Sequence, residues 1–294
     1  MKPIASWCCA AVLAAATVQA ERIRWFCPAA SVNHDSTGAA MDAGFQFELG
    51  VFDAGFAPTA GNRHAWLAHW NAAQTTAYVP AAGSTGTFLA EFDNDDPFPL
   101  GTPGWILGRR WTATGSEWIL FRHSDWTWPE APSGLFDPED LVLWNAADAD
   151  IVLAGVIDGD GSPFLMMSER VRSYAQWQAA ELAGESLDGA GDDPDLDGIE
   201  NVIEFFCGTD PGDGTSIPSA EIAFTGPGGP FLRAIYPAHP GSLAVATVEA
   251  SGNLSAWSSA GVSLEWAAGT LVATDSVAAV PGGRRFLRLR VELP

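Results

Sequence analysis

The segment Asp193-Pro-Asp195-Leu-Asp197-Gly198-Ile199-Glu200-Asn201-Val-Ile-Glu204 carries oxygen side chains at loop positions 1, 3, 5, 9 and 12 and a glycine at 6. This is the spacing of an EF-hand-type calcium loop. Calcium is a hard cation that takes six to eight oxygen ligands at flexible angles. Asp193, Asp195 and Asp197 supply side-chain oxygens from alternate residues. Gly198 can take the left-handed backbone that turns the chain around the ion. Ile199 offers its backbone carbonyl, Asn201 binds directly or through water, and Glu204 has the reach for a bidentate contact.

Elements must hold such a loop. Downstream, Ile199, Val202, Ile203 and Phe206 form one apolar stripe at helical spacing, and Gly208 can end that helix. Upstream, Val171, Tyr174, Ala175 and Leu182 share a helical face with Trp177 at its edge. The unit reads as helix, acidic loop, short helix. Two features depart from the EF-hand pattern: position 8 is Glu200, where an apolar residue is usual, and no second full loop pairs with this one. Both resemble the single Asp-rich loops of dockerin and thrombospondin type 3 repeats. That resemblance implies that acidic residues further on complete the cage, and Asp210 and Asp213 are the candidates.

Other residues offer weaker chemistry. Residues 21–165 hold nine of the 13 tryptophans. Exposed indoles stack on sugar rings, and Trp126-Thr-Trp128-Pro129, in a turn-rich segment, is the best candidate for carbohydrate contact. Trp66, Trp70, Trp105, Trp118 and Trp144 sit inside apolar runs and read as core. The acidic run Glu91-Phe-Asp93-Asn94-Asp95-Asp96-Pro97 lacks the glycine and distal glutamate of a calcium loop and reads as a solvated turn. Asp158-Gly-Asp160-Gly161 reads as a hairpin turn. None of the five histidines has a partner visible in sequence. No Gly-x-Ser-x-Gly elbow or Gly-rich nucleotide loop is present. No local carboxylate pair stands out as a glycosidase would need. Zinc is not expected, because no Cys or His cluster has ligand spacing.

The first twenty residues have the form of a secretory signal peptide: Lys2, a short apolar run from Ile4 to Ala16, and the small-residue site Val18-Gln19-Ala20. Lys2 is the only lysine, and the formal net charge is −22. So acidic a chain is a poor ligand for phosphate backbones or anionic membranes. No later run is apolar for long enough to cross a bilayer. Cys27 and Cys207 are expected to be unpaired and buried.

The spacing predicts short strands between Gly, Pro and Asn breaks at Ile23–Cys27, Phe45–Leu49, Ala65–Trp70, Thr87–Phe92, Trp105–Gly108, Glu117–Arg122 and Ile151–Ile157. The alternation Leu287, Leu289, Val291, Leu293 against Arg288, Arg290, Glu292 predicts a closing strand. The expected architecture is mainly β: a Trp-rich β-sandwich over 21–165, a helix–calcium loop–helix insert over 166–213, and a β-sandwich-like domain over 214–294.

The chain resembles secreted multi-domain proteins of planctomycete and verrucomicrobial bacteria. These join a loop like Asp193–Phe205 to a Gly-Thr-Asp-Pro end, here Gly208–Pro211, followed by a β domain with a signature like Val248-Glu249-Ala-Ser251-Gly-Asn253-Leu254-Ser-Ala-Trp257. Phe47-Glu-Leu49-Gly50, Gly55-Phe56-x-Pro58, Trp105-Ile-Leu-Gly108, Glu117-Trp118-Ile-Leu120 and Arg285-Phe286-Leu-Arg288-Leu add to the likeness. The resemblance implies no enzymatic activity and no defined ligand beyond calcium. The resulting expectation is a secreted, non-catalytic, calcium-binding structural or binding protein of the extracellular space or cell surface, with the periplasm as another location. Its partners would be calcium and a polysaccharide or cell-surface protein. The alternatives are a carbohydrate-binding accessory module or, more remotely, a polysaccharide hydrolase.

Overall fold

A computed structural model describes residues 22–94, 97–112, 114–129, 141–158, 165–225, 230–267, 269–278 and 283–294. The leader-like segment, the middle of the second acidic run and the Gly159–Gly161 turn lie outside the described residues. The protein is mainly β, with several sheets. No helix among the described residues is long and apolar enough to cross a membrane.

The largest sheet has six strands. Gln46–Phe52 lies between Trp70–Ala77 and Trp105–Thr112, and Trp105–Thr112 pairs with Gly115–Arg122. The far edge of Gly115–Arg122 takes both Ile151–Ala154 and Glu169–Val171. Alternation in Gln46-Phe-Glu-Leu49 works as the sequence suggests. Phe47 and Leu49 are fully buried, while Glu48 faces the other side and accepts from Trp70 Nε1 at 2.7 Å. A three-stranded sheet contains Arg22–Phe26, parallel to Leu141–Asn145 and antiparallel to Leu89–Asp93. Ile23, Trp25 and Trp144 from this sheet join Phe47, Leu49, Ile106, Ile119 and Phe121 in one core.

The second face of the six-stranded sheet is also apolar. Phe52, Trp105, Leu107, Trp118 and Leu120 are covered by Trp66 and, from the C-terminal part, by Leu243. Trp66 comes from a 3₁₀ helix at Ala60–Ala68. The strand expected over Ala65–Trp70 is therefore corrected: only Trp70 begins a strand. Local hydrogen bonding decides this. Trp66 Nε1 donates to Asn62 Oδ1 (2.9 Å) and Thr59 O (3.1 Å), and Asn62 Oδ1 also accepts from Thr59 N (2.8 Å). These bonds close a turn that an extended chain could not make.

Two further strands, Leu165–Met167 and Glu169–Val171, pair with strands of the N-terminal part, so its sheets run past the boundary expected at 165. Val171 thus lies in a strand, not on a helical face. Helix α1 (Tyr174–Glu181) starts at Ser173, whose side chain accepts from Gln176 N. Helix α2 (Asn201–Cys207) ends on Gly208, at φ +78°. After α2 come a four-stranded sheet, in the order Glu221–Thr225, Phe231–Pro237, Thr270–Ala278, Val262–Ala267, and a two-stranded one, Val245–Ser251 with Phe286–Glu292. In the closing strand Leu287, Leu289 and Val291 pack inward, while Arg288 pairs with Glu249. Both helices share this core. Trp177, Phe205 and Phe206 cluster with Val248, Leu271 and Ala273, so the helical unit and the C-terminal strands bury one common apolar surface.

Candidate metal centre

The acidic loop forms between two helices that hold each other. Tyr174, Trp177 and Phe205 bring their ring centroids within 5.4–5.6 Å of one another. Tyr174 Oη and Gln178 Nε2 on α1 both donate to Asp188 O, at 3.2 and 2.8 Å. Burial, with Asp188 and Asp192 nearby, pushes the Tyr174 phenol up to about 12. Asn201 N donates to Asp192 O (2.8 Å) and Val202 N to Ala190 O (2.9 Å), so the start of α2 is stitched to the same turn.

Within this frame each aspartate uses one oxygen to shape the loop and keeps the other. Gly198 N donates to Asp193 Oδ2 (2.9 Å), Asp197 N to Asp195 Oδ1 (3.2 Å) and Ile199 N to Asp197 Oδ1 (2.8 Å). Gly198 takes φ +93°, the left-handed turn expected at position 6. Leu196 is also left-handed, at φ 63°, with its side chain 81 % exposed. A branched residue there carries strain of about 1–2 kcal/mol.

The remaining oxygens form the site. Asp193 Oδ1, Asp195 Oδ2, Asp197 Oδ2, Asn201 Oδ1 and both Glu204 Oε atoms are buried with no hydrogen-bond partner. Carboxylate oxygens of the three aspartates lie within 4.8 Å of one another, and this cluster could hold a metal ion. Asn201 and Glu204 are fully buried. Asn201 Nδ2 donates to Leu187 O (3.1 Å) and Gly189 O (2.9 Å), which fixes the amide and leaves its oxygen unmatched. Burial, opposed by the nearby Thr209 hydroxyl and reinforced by the three aspartates, raises the Glu204 carboxyl to about 7, and burial with Asp197 and Asp193 raises Asp195. The Cys207 thiol is pushed up to about 12 by burial and by Glu204. Buried polar groups in native proteins are normally satisfied. The aspartate cluster could hold a metal ion, and the unpartnered oxygens of Asn201 and Glu204 follow on the same segment.

Asp210 and Asp213 are not part of the cluster. Asp210 Oδ1 accepts from Gly212 N (3.0 Å), and Asp213 Oδ1 accepts from Thr215 N (3.0 Å) and Oγ1 (2.7 Å). Those bonds hold Asp213 below the usual carboxylate range. The segment instead closes the loop with backbone: Gly214 packs against Asp195 and Asp197, where a Cβ would lie 3.5 Å from Asp195 O. Thr209, which the calcium-loop spacing does not mark, lies beside Glu204. Its hydroxyl is buried without a partner, and its amide donates to Glu204 O.

The tryptophan candidates are also corrected. Trp126 is 5 % exposed and Trp128 fully buried. Trp126 stacks on Trp144 at 5.3 Å, and Trp128 Nε1 donates to Asn94 Oδ1 at 3.0 Å. Neither offers a free ring face to a sugar. Among the described residues of the second acidic run, Glu91 and Asp93 pair with Arg22 and Arg24, and Asn94 serves Trp128. Glu91 and Asp93 lie in the strand Leu89–Asp93, so the turn expected over this run is corrected for those residues. His69, which showed no partner in sequence, pairs through Nδ1 with Asp53 Oδ2 at 2.9 Å on the surface. Cys27 and Cys207 are both free and buried.

Comparison with protein-family models, with curated proteins and with solved structures gives no match.

Proposed function

We propose that this chain is a secreted, non-catalytic protein whose acidic loop binds one calcium ion, and that the ion stiffens the joint between the N-terminal and C-terminal parts. The observation that carries the reading is the set of six buried, unpartnered oxygens on Asp193, Asp195, Asp197, Asn201 and Glu204. Glu204 at about 7 is a carboxylate that burial disfavours unless a cation is present. Bound calcium would supply positive charge and let all four carboxylates ionise together.

The link to the joint is short. Phe206 lies two residues beyond Glu204 on α2, and its carbonyl accepts from His239 N at 2.7 Å. His239 Nδ1 accepts from Gly241 N (3.0 Å), and Gly241 O accepts from Arg172 N (2.8 Å), next to the strand Glu169–Val171 of the six-stranded sheet. Ordering α2 therefore orders the backbone contact that joins the two parts. Such metal binding is folding energy for the segment that forms the site. The acidic composition and the leader-like first twenty residues support an extracellular or cell-surface setting, as in the bacterial secreted proteins the chain resembles.

Hydrogen exchange with calcium and with chelator tests this. The expected result is strong calcium-dependent protection of Glu200–Gly208 that extends to His239 and Arg172. Equal exchange in both conditions at these amides would refute it.

A further inference from the structure

The N-terminal and C-terminal parts enclose a cleft of about 1240 Å³. Its volume is at or above the upper end for small-molecule sites. The two parts approach so closely at its edges that glycine is required: a Cβ on Gly61 would lie 2.2 Å from Trp266 Nε1, and one on Gly241 would lie 2.0 Å from Arg170 O.

The charges around the cleft are matched within the protein. Arg63, 2 % exposed, is bonded to Glu169 and donates to Leu153 O at 2.9 Å. Arg170 lies 3.5 Å from Glu117, a fully enclosed carboxylate that also accepts from Ser36 Oγ and Ser168 Oγ at 2.7 Å. What remains is uncharged. Ser36 and Thr37 spend their hydroxyl hydrogens on Glu117 and Asp35 (2.7 and 2.6 Å), so their oxygens are left as acceptors. His239, whose Nδ1 accepts from Gly241 N, carries its hydrogen on Nε2 as a donor. Burial pushes the His64 imidazole below its ordinary value. Beside these groups stands an apolar wall in which Trp266 meets Phe206 edge to face, with centroids 6.0 Å apart.

We infer that this cleft binds a neutral saccharide, with the Trp266 indole against one sugar face and Ser36, Thr37, His64 and His239 meeting its hydroxyls. A ligand that is uncharged, rich in hydroxyls and apolar on one face matches these groups. A polyanion would meet the repulsion of a chain at net charge −22. The inference adds a ligand to the structural role proposed above, and its test, run in calcium, reads sugar binding separately from the metal. It also moves carbohydrate contact from the buried Trp126 and Trp128 to a tryptophan that lines a cavity.

The test is titration of the full chain, in calcium, with cellohexaose, xylohexaose, mannohexaose and laminarihexaose, followed by calorimetry. At least one should bind saturably. Trp266→Ala should weaken that binding about tenfold or more, the loss expected for an aromatic anchor. Leu264→Arg, which adds bulk at a partly exposed lining position and removes little core, should also abolish it while leaving the melting curve unchanged. Trp111→Ala should have no effect, since Trp111 is 64 % exposed and outside the cleft lining. Failure of all four sugars at millimolar concentration would overturn the inference. So would binding that survives Leu264→Arg. A calcium-dependent melting shift without sugar binding would leave the metal reading standing and remove this one.

Discussion

Replacing Glu204 by glutamine separates a calcium ligand from an ordinary buried polar residue, because the two roles give opposite signs in chelator. Without metal, the Glu204 carboxyl moves from an ordinary 4.5 in the unfolded chain to about 7 in the folded one. A raised folded value means that the folded state holds the proton longer. Glu204's contribution to stability is therefore fully present below pH 4.5, falls as pH rises and levels off above 7. At about 1.4 kcal/mol per pH unit, the loss comes to about 3 kcal/mol. Glutamine cannot ionise, and its amide can donate to the aspartate oxygens that lack partners. In chelator at pH 8, Glu204→Gln should thus be more stable than the parent by up to about 3 kcal/mol, and its stability should vary less between pH 4.5 and 7. In calcium at a hundred times Kd the parent should gain about 2.7 kcal/mol, and the variant, lacking a bidentate carboxylate, should gain little. Differential scanning calorimetry at pH 5 and pH 8, with 10 mM calcium or chelator, reads both arms. The variant's lead at pH 8 in chelator should be all but cancelled in calcium, where the parent's gain of about 2.7 kcal/mol offsets a lead of up to about 3 kcal/mol. A variant destabilised equally in both conditions would refute the reasoning and make Glu204 a plain core residue.

Three further outcomes follow from the geometry. Trp128→Ala should cost about 3–5 kcal/mol in urea denaturation, since Trp128 is fully buried among Phe92, Phe98 and Trp144; a cost under 1 kcal/mol would return it to the surface. Leu196→Asn should stabilise the protein by about 1 kcal/mol, because asparagine tolerates the left-handed backbone found there and the leucine side chain packs on little; a loss of stability would count against the strain. Arg63→Met should destabilise by about 3–5 kcal/mol by leaving Glu169 without its buried partner; an unchanged denaturation midpoint would show that water replaces the pair.

The aspartate cluster was legible because it is local: Asp193, Asp195 and Asp197 belong to one loop, and position 6 announces its left-handed backbone through Gly198. The strand Gln46–Phe52 and the closing strand Phe286–Glu292 were legible for a similar reason, since each has one buried face with a period of two. Trp126 and Trp128 were not, because exposure depends on what covers a residue. What covers them comes from Asn94, Phe98 and Trp144, distant in sequence. The 3₁₀ helix at Ala60–Ala68 was hidden by an apolar run that fits strand or helix alike, and only the Thr59–Asn62–Trp66 bonding decides between them. Asp210 and Asp213 lie outside the aspartate cluster and cap their own turns, which sequence spacing alone does not distinguish from ligation. The cleft was invisible throughout, since Arg63 and Glu169 meet across 106 residues.

The central claim is that one calcium ion completes the oxygen set of Asp193, Asp195, Asp197, Asn201 and Glu204. Calorimetric titration of calcium into the full chain, first stripped with chelator, tests it most directly. One ion per chain is expected, with Kd on the order of 10⁻⁴–10⁻³ M as for single extracellular modules, and no binding to Asp195→Ala. No heat up to 10 mM calcium, or undiminished binding by Asp195→Ala, would contradict it.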